Sequence, residues 1–230
     1  MDNSAYVELM QVKDIHTFVD KLATYPCQRC SLSQRSAQKV IYRGNLNAKI
    51  VLVGEAPGLV EEQQGLPFVG PAGQLGDKIF ESIGLDTNKD MWLSNICLCR
   101  PAAPEGSGKQ NYTPIVEQKQ RCMPYILKMI GLTQPKVVIL AGLTAAQTLL
   151  GKKLIPNMKS CAGKFIDIDS TFGTGNTKAL TKVFVMYHPA YVIHAQKGGP
   201  EKAQEARRAM WEHMQILRDG LEEEKNGTEG

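Results

Sequence analysis

The chain has 230 residues, 43% of them hydrophobic, which is enough for one α/β domain with a buried core. Its formal charge of +4 comes from 27 basic and 23 acidic residues, an excess too small to identify a polyanionic partner. The sequence has no N-terminal signal pattern and no apolar run near the roughly 20 residues of a membrane-spanning helix, so we expect an intracellular protein.

Strands and helices alternate along the predicted chain. The helices are predicted at about Ile15–Thr24, Ala72–Ile83, Pro114–Ile130 (with Thr113 as cap), Thr144–Leu150 and Pro200–Leu221. Apolar, β-branched runs predict strands at Lys49–Val53, Met91–Ile96, Lys136–Leu140 and Lys182–Met186. The alternation predicts an α/β fold, a mainly parallel sheet covered by helices, in one domain over residues 1–221. The polar, acidic residues 222–230 are expected to form a flexible tail.

Chemistry in such a sheet is expected in the loops after the strands, because ligands bind beyond the carboxyl ends of parallel strands. These loops contain Gly54 to Gly58, Cys97 to Gln110, and Tyr187 to Ala190. The glycines after the first strand allow a close backbone approach to a ligand. Their spacing nevertheless fits neither the dinucleotide fingerprint nor the nucleotide-triphosphate loop.

Four of the six cysteines are candidate metal ligands. Cys27 and Cys30 form a two-residue clip, Cys99 follows a strand, and Cys122 lies in a predicted helix. Cysteines alone favour zinc over an iron–sulfur cluster. Cys97 and Cys161 are expected to be buried apolar residues. A zinc deaminase is set aside because its signature needs a His-x-Glu, which the chain lacks.

Several motifs, taken together, resemble the family-4, iron–sulfur uracil-DNA glycosylases. In chain order they are the early CxxC, then GEAPG with a following glutamate, then GLPFVGPAGQL, then NICLCRP, and finally HPA. Together they span about residues 20 to 220 in the order typical of the family. The resemblance implies a three-layer α/β/α sandwich around a small, mainly parallel four-stranded sheet. It also implies a four-iron, four-sulfur (4Fe-4S) cluster held by Cys27, Cys30, Cys99 and Cys122.

The resemblance implies that the protein is a monofunctional glycosylase that removes uracil from single- or double-stranded DNA. We expect it to act as a DNA-associated monomer. Gly54 and Phe68 would contact the uracil, Phe68 by stacking, and Asn95 would pair with its O4 and N3 edge. An amide suits that edge because it offers one donor and one acceptor. Glu61 would exclude the thymine methyl group.

His188 would donate a hydrogen bond to uracil O2 as the glycosidic bond breaks. His16, His194 and His213 are expected to be structural or solvated. The segment Tyr191, Val192 and Ile193 would form an apolar wedge in the duplex.

The sequence departs from the family pattern in two ways. Ala56 stands where other uracil glycosylases have a water-activating carboxylate, so Glu55 is the candidate to position water. The segment 101–113 is longer than the family's usual turn and contains no histidine, which predicts turnover rather than covalent capture of the product.

Two other classes of function stay open. One is a non-catalytic iron–sulfur DNA-binding protein of the same fold. The other is a nucleotide-binding metabolic enzyme with a structural zinc.

Overall fold

The computed structural model describes residues 4–104, 106–107, 110–166 and 181–226. Its strands are β1 (Arg43–Gly44), β2 (Ile50–Gly54), β3 (Met91–Asn95), β4 (Val137–Ala141), β5 (Lys164–Ile166) and β6 (Lys182–Met186). Its helices are α1 (Ser4–Gln11), α2 (Ile15–Thr24), α3 (Leu59–Gln64), α4 (Pro71–Glu81), α5 (Val116–Thr133), α6 (Leu143–Leu150), α7 (Met158–Cys161), α8 (Ala190–Gln196) and α9 (Pro200–Asn226).

The strands form one sheet in the order β1-β3-β2-β4-β6-β5. The central four are parallel and correspond to the four predicted strands. The expectation of a four-stranded sheet was wrong in number, because β1 and β5 add antiparallel edges. Both are short, at two and three residues, which is why no periodic pattern predicted them.

Two hydrophobic clusters lie on opposite faces of the sheet. Val51 and Val53 pack with residues of α1, α2, α5 and α6, whereas Leu52 packs with residues of α4, α8 and α9. This alternation follows from the two-residue period of a strand. The predicted α/β/α sandwich is confirmed.

Helices α5 and α9 begin or end at other residues than the predicted ones. Helix α5 begins at Val116 rather than at Pro114, because the Ile115 N–H donates to Gln118 Oε1 at 3.0 Å and sets the first turn there. Helix α9 continues to Asn226, past the predicted end at Leu221, so residues 222–226 of the expected flexible tail are helical. Residues 227–230 lie outside the described part of the chain. In the described ranges, no helix is both long and apolar enough to cross a membrane.

Candidate active site

A cleft of about 650 Å³ opens at the carboxyl ends of the parallel strands. Asn95 at the end of β3 and the loop residues Glu55 after β2 and His188 after β6 contribute to its wall, and Phe68 and Glu61 also line it. The topology therefore brings together the residues predicted to bind and cleave the substrate. This volume is typical of small-molecule pockets.

Asn95 ends β3 directly beside Gly54, its register partner at the end of β2. The Asn95 side chain is 3% exposed, and no hydrogen bond to its amide is found among the residues that the structure describes. A Cβ at Gly54 would lie 2.5 Å from Asn95 Oδ1 and 2.6 Å from Phe68 Cζ. Gly54 thus leaves room for the amide and the aromatic ring to line the same small space.

Phe68 has a left-handed backbone conformation, with φ of 58°, which is unfavourable for a bulky residue. The backbone of Gly73 packs so closely on Phe68 that a side chain at Gly73 would collide with the Phe68 carbonyl group. A strained backbone conformation persists only where the surrounding structure holds the residue in it, and such residues are concentrated at functional sites. The Phe68 ring is therefore held in place before any ligand binds.

The Glu61 carboxylate joins two loops of the cleft. It accepts hydrogen bonds from the N–H of Gly58 at 3.1 Å and from the N–H of Gly70 at 2.8 Å. The first bond caps α3, and the second reaches the loop that carries Phe68. Both carboxylate oxygens are thus fixed by backbone amides, and the side chain forms a rigid part of the wall.

His188 is held as a neutral imidazole. Burial lowers its pKa to about 4, with the charge of Glu61 acting in the opposite direction. Its Nδ1 accepts the Ala190 N–H at 3.2 Å. Because Nδ1 accepts, the one proton of the neutral ring is on Nε2, which is free to donate.

The rings of His188 and Phe68 are stacked, with centroids 5.9 Å apart and planes 24° from parallel. A base inserted between two ring faces needs about 7 Å, twice the usual carbon–carbon contact distance of about 3.5 Å. A flipped base therefore does not fit between them in this arrangement. It can stack on one ring while the other approaches its edge.

The predicted wedge segment, Tyr191 to Ile193, lies in the first turn of α8. Val192 is 4% exposed and packs in the core against α9 residues, so it is not available to enter a duplex. Tyr191 is 39% exposed and lines the cleft. The prediction treated the three residues alike because short helices give little periodic signal.

Arg100 and Glu62 directly precede and follow, respectively, the cleft residues Pro101 and Glu61, and they form an ion pair that the sequence did not predict. Arg100 Nη1 donates to Glu62 Oε2 at 3.0 Å, and its other nitrogens donate to Asn111 Oδ1 and Gln110 O. Burial alone would raise the pKa of Glu62, but hydrogen bonds from Ser36 and Arg100 outweigh it and hold the pKa below its usual value. No local spacing indicates such a pair, because its partners are 38 positions apart.

Arg100 anchors the long segment 101–113, whose Glu105, Gly108 and Lys109 lie outside the described residues. A bridge between Ala102 and Asn111 closes the base of this segment. Asn111 and Tyr112 then line the cleft, as does the exposed His194 of α8. None of these three was predicted as a site residue.

The four predicted metal ligands line one small cavity away from the cleft. Cys27 and Cys30 follow α2, Cys99 follows β3, and Cys122 lies in α5. The other two cysteines, Cys97 and Cys161, are buried, as predicted, and do not line this cavity. The Leu98 N–H donates to Cys122 Sγ at 3.3 Å.

Burial raises the pKa of the Cys30 and Cys99 thiols, and a hydrogen bond with Cys97 together with burial raises the pKa of Cys122. Burial raises the pKa of Cys99 to about 12, and the nearby Cys122, Cys27 and Cys30 add to the effect. A metal would have to displace these protons. Within the described ranges, no three or more Cys, His, Asp or Glu side chains are placed as ligands of one metal ion.

Comparison with known proteins identifies the family. A family model described as the uracil DNA glycosylase superfamily matches residues 41–215. A type-4 uracil-DNA glycosylase of Archaeoglobus fulgidus is 32% identical over 170 residues, which cover 73% of this chain and 78% of the relative. This chain belongs to the type-4 uracil-DNA glycosylases.

Two further type-4 uracil-DNA glycosylases are similar over most of their length. The protein of Pyrobaculum aerophilum is 30% identical over 80% of this chain and 85% of its own. That of Thermotoga maritima is 29% identical over 86% of this chain and 91% of its own. The matched segment 41–215 contains all the cleft residues described above and both Cys99 and Cys122, whereas Cys27 and Cys30 precede it.

Proposed function

We propose that this type-4 uracil-DNA glycosylase hydrolyses the N-glycosidic bond of uracil in DNA and leaves an abasic site. The proposal rests on one observation: Asn95, Phe68 and His188 line the same cleft, at the ends of the parallel strands. An enzyme of this kind has to extrude the base from the stack and read its edge in a pocket. The cleft supplies an aromatic surface, an amide and a hydrogen-bond donor for these tasks.

Asn95 would read the uracil edge by accepting the N3 proton at Oδ1 and donating an amide N–H to O4. Cytosine has an acceptor at N3 and a donor at C4, so it would leave both groups of the buried amide unpaired. Glu61, fixed by two backbone amides, would form the wall beside C5. A rigid carboxylate there would exclude the methyl group of thymine.

His188 would stabilise the leaving base. As the glycosidic bond breaks, negative charge collects on uracil, and a donor aimed at O2 stabilises that charge more in the transition state than in the ground state. The neutral ring with its proton on Nε2 is suited to this role. Glu55 lines the same cleft and is the candidate to position the attacking water.

The lack of a histidine in the segment 101–113 supports turnover after product formation. Covalent capture of the abasic product through a histidine would need that residue in this segment. We also propose that the enzyme acts as a monomer on DNA.

Release of uracil tests this function directly. The protein is incubated with an oligonucleotide that contains one uracil, and alkali-labile breaks at that position are measured, with a thymine-containing oligonucleotide as control. We expect breaks with uracil only. An intact uracil strand under conditions of tight DNA binding would support the alternative, a non-catalytic DNA-binding protein of this fold.

We further propose that Cys27, Cys30, Cys99 and Cys122 hold a 4Fe-4S cluster. An all-sulfur donor set in a cavity bounded by Leu32 and Tyr125 suits such a cluster, and its ligands are thiolates in known proteins. When bound, the cluster would join α2, β3 and α5 and so stabilise the fold. It lies apart from the cleft and has no assigned role in the chemistry.

Cys99→Ala and Cys122→Ala are each expected to abolish the brown colour of anaerobically purified protein, because each removes one of four ligands. The unaltered protein should contain about four iron atoms per chain. Cys161→Ala, which changes a buried thiol outside the cavity, should keep both colour and iron. A colourless protein with one zinc per chain would contradict the assignment and favour a structural zinc.

A further inference from the structure

Three rings form a continuous stack that runs from the core to the cleft. Tyr187, directly after β6, stacks on His213 of α9 with centroids 5.2 Å apart and planes 19° from parallel. On its other side it stacks on Tyr191 of α8, with centroids 4.4 Å apart and planes 20° from parallel. The stack therefore joins α8, α9 and the loop after β6.

The inner end of the stack is fixed in the core. His213 is 8% exposed, and a side chain at Gly163 would collide with its ring. Gly163 also has a positive φ of 74°, which favours glycine at this contact. The His213 ring is therefore closely packed against Gly163, and the Tyr187 ring stacks on the His213 ring.

The outer end of the stack is a wall of the cleft. Tyr191 is 39% exposed and lines the cleft together with Phe68 and His188. Its backbone N–H donates to the carbonyl oxygen of His188 at 2.8 Å. The ring is therefore held three positions from the residue proposed to act on uracil, and Tyr187 occupies only one of its two faces.

We propose that Tyr191 is a stacking platform for an unpaired nucleobase adjacent to the flipped uracil. The inference rests on the proposed function and adds a preference for DNA whose bases next to uracil are unpaired, as in single strands. An aromatic side chain binds any base by stacking, because every base has a π-face. A base stacked on the face of Tyr191 opposite Tyr187 would extend the existing stack.

A stacking platform and an apolar wedge make different demands on this position. A wedge only needs to fill space in a duplex, so leucine could replace tyrosine. A platform needs an aromatic ring, so phenylalanine could replace tyrosine and leucine could not. Stacking on one aromatic side chain contributes roughly a 5-fold to 100-fold gain in affinity, which sets the size of the expected loss.

The test uses a single-stranded oligonucleotide with the fluorescent base 2-aminopurine next to a 2′-fluorinated uridine, whose glycosidic bond resists cleavage. We expect the unaltered protein and Tyr191→Phe to bind it tightly and to quench the fluorescence through stacking. Tyr191→Leu should lose the quenching and bind roughly 5-fold to 100-fold more weakly. Trp211→Leu is the matched control, because Trp211 is 60% exposed on α9 and does not line the cleft.

Equal affinity and equal quenching by Tyr191→Leu would overturn the platform. The same binding is measured with the oligonucleotide annealed to its complement, and a loss confined to that duplex would also overturn the platform and indicate a wedge. Uracil release from an ordinary oligonucleotide, measured in parallel, separates this proposal from the proposed function. If the protein quenched 2-aminopurine but released no uracil, the function would fail and the platform would stand.

Discussion

His188→Ala is expected to slow uracil excision in single-turnover assays by roughly 100-fold or more, since loss of one transition-state donor costs on the order of 3 kcal/mol. Affinity for uracil-containing DNA should change little, because phosphate contacts supply most of it. His188→Gln, whose amide can still donate a hydrogen bond, should retain part of the rate. His16→Ala, which alters an exposed histidine of α2, should leave both quantities unchanged.

The protonation state of His188 gives a second readout that is independent of rate. Its pKa, measured by titration of the imidazole NMR resonances, should be about 4. Because this value is lower than that of the unfolded chain, about 6.5, the buried neutral ring makes the folded state less stable as the pH falls from 6.5 toward 4. A pKa above 6.5, or a His188→Ala variant that loses DNA binding and keeps its rate, would contradict the assigned role.

Asn95→Ala is expected to lower kcat/KM for uracil by roughly 100-fold or more. The variant removes both hydrogen bonds to the base edge, and a site built to pair with such an edge discriminates strongly against their loss. Asn95→Asp should also weaken uracil excision, but a protonated carboxyl group can donate to N3 of cytosine. Release of cytosine by Asn95→Asp, measured as new base-specific strand breaks, would support the proposed pairing.

Asn47→Ala is the matched control for this position, because Asn47 is an exposed asparagine in the turn before β2, outside the cleft. It should leave kcat/KM unchanged. Uracil release at the normal rate by Asn95→Ala would remove this residue from the site. A variant that failed to fold would be recognised by loss of its far-ultraviolet circular dichroism and would be replaced by Asn95→Ser, which conserves small size and polarity.

The sequence predicted those residues of the site that lie at the carboxyl ends of the parallel strands. The four parallel strands are apolar runs of five residues, and three of them are rich in β-branched residues, so their carboxyl ends could be located. Asn95 and His188 lie at or just after those ends. The cysteine cavity was likewise anticipated, because a two-residue clip is a local signal. The residue roles came from the family motifs and not from periodicity.

Other features depend on contacts between distant parts of the chain. The ion pair of Arg100 and Glu62 joins two loops, and the stack of Tyr187, Tyr191 and His213 joins α8, α9 and the loop after β6. Val192 was placed in the wedge because a buried helical valine and an exposed loop valine look alike in sequence. Such features are decided by packing, which a single sequence does not reveal.

The closed base of the segment 101–113 separates the cleft from the outer part of that segment. The bridge between Ala102 and Asn111, together with the bonds from Arg100, fixes the residues that form the wall. Lengthening a loop beyond such a closure costs little free energy, because the entropy of closure grows only with the logarithm of loop length. The outer segment is thus a place where this enzyme can accept inserted sequence, including a foreign domain, without rebuilding the pocket that reads the base.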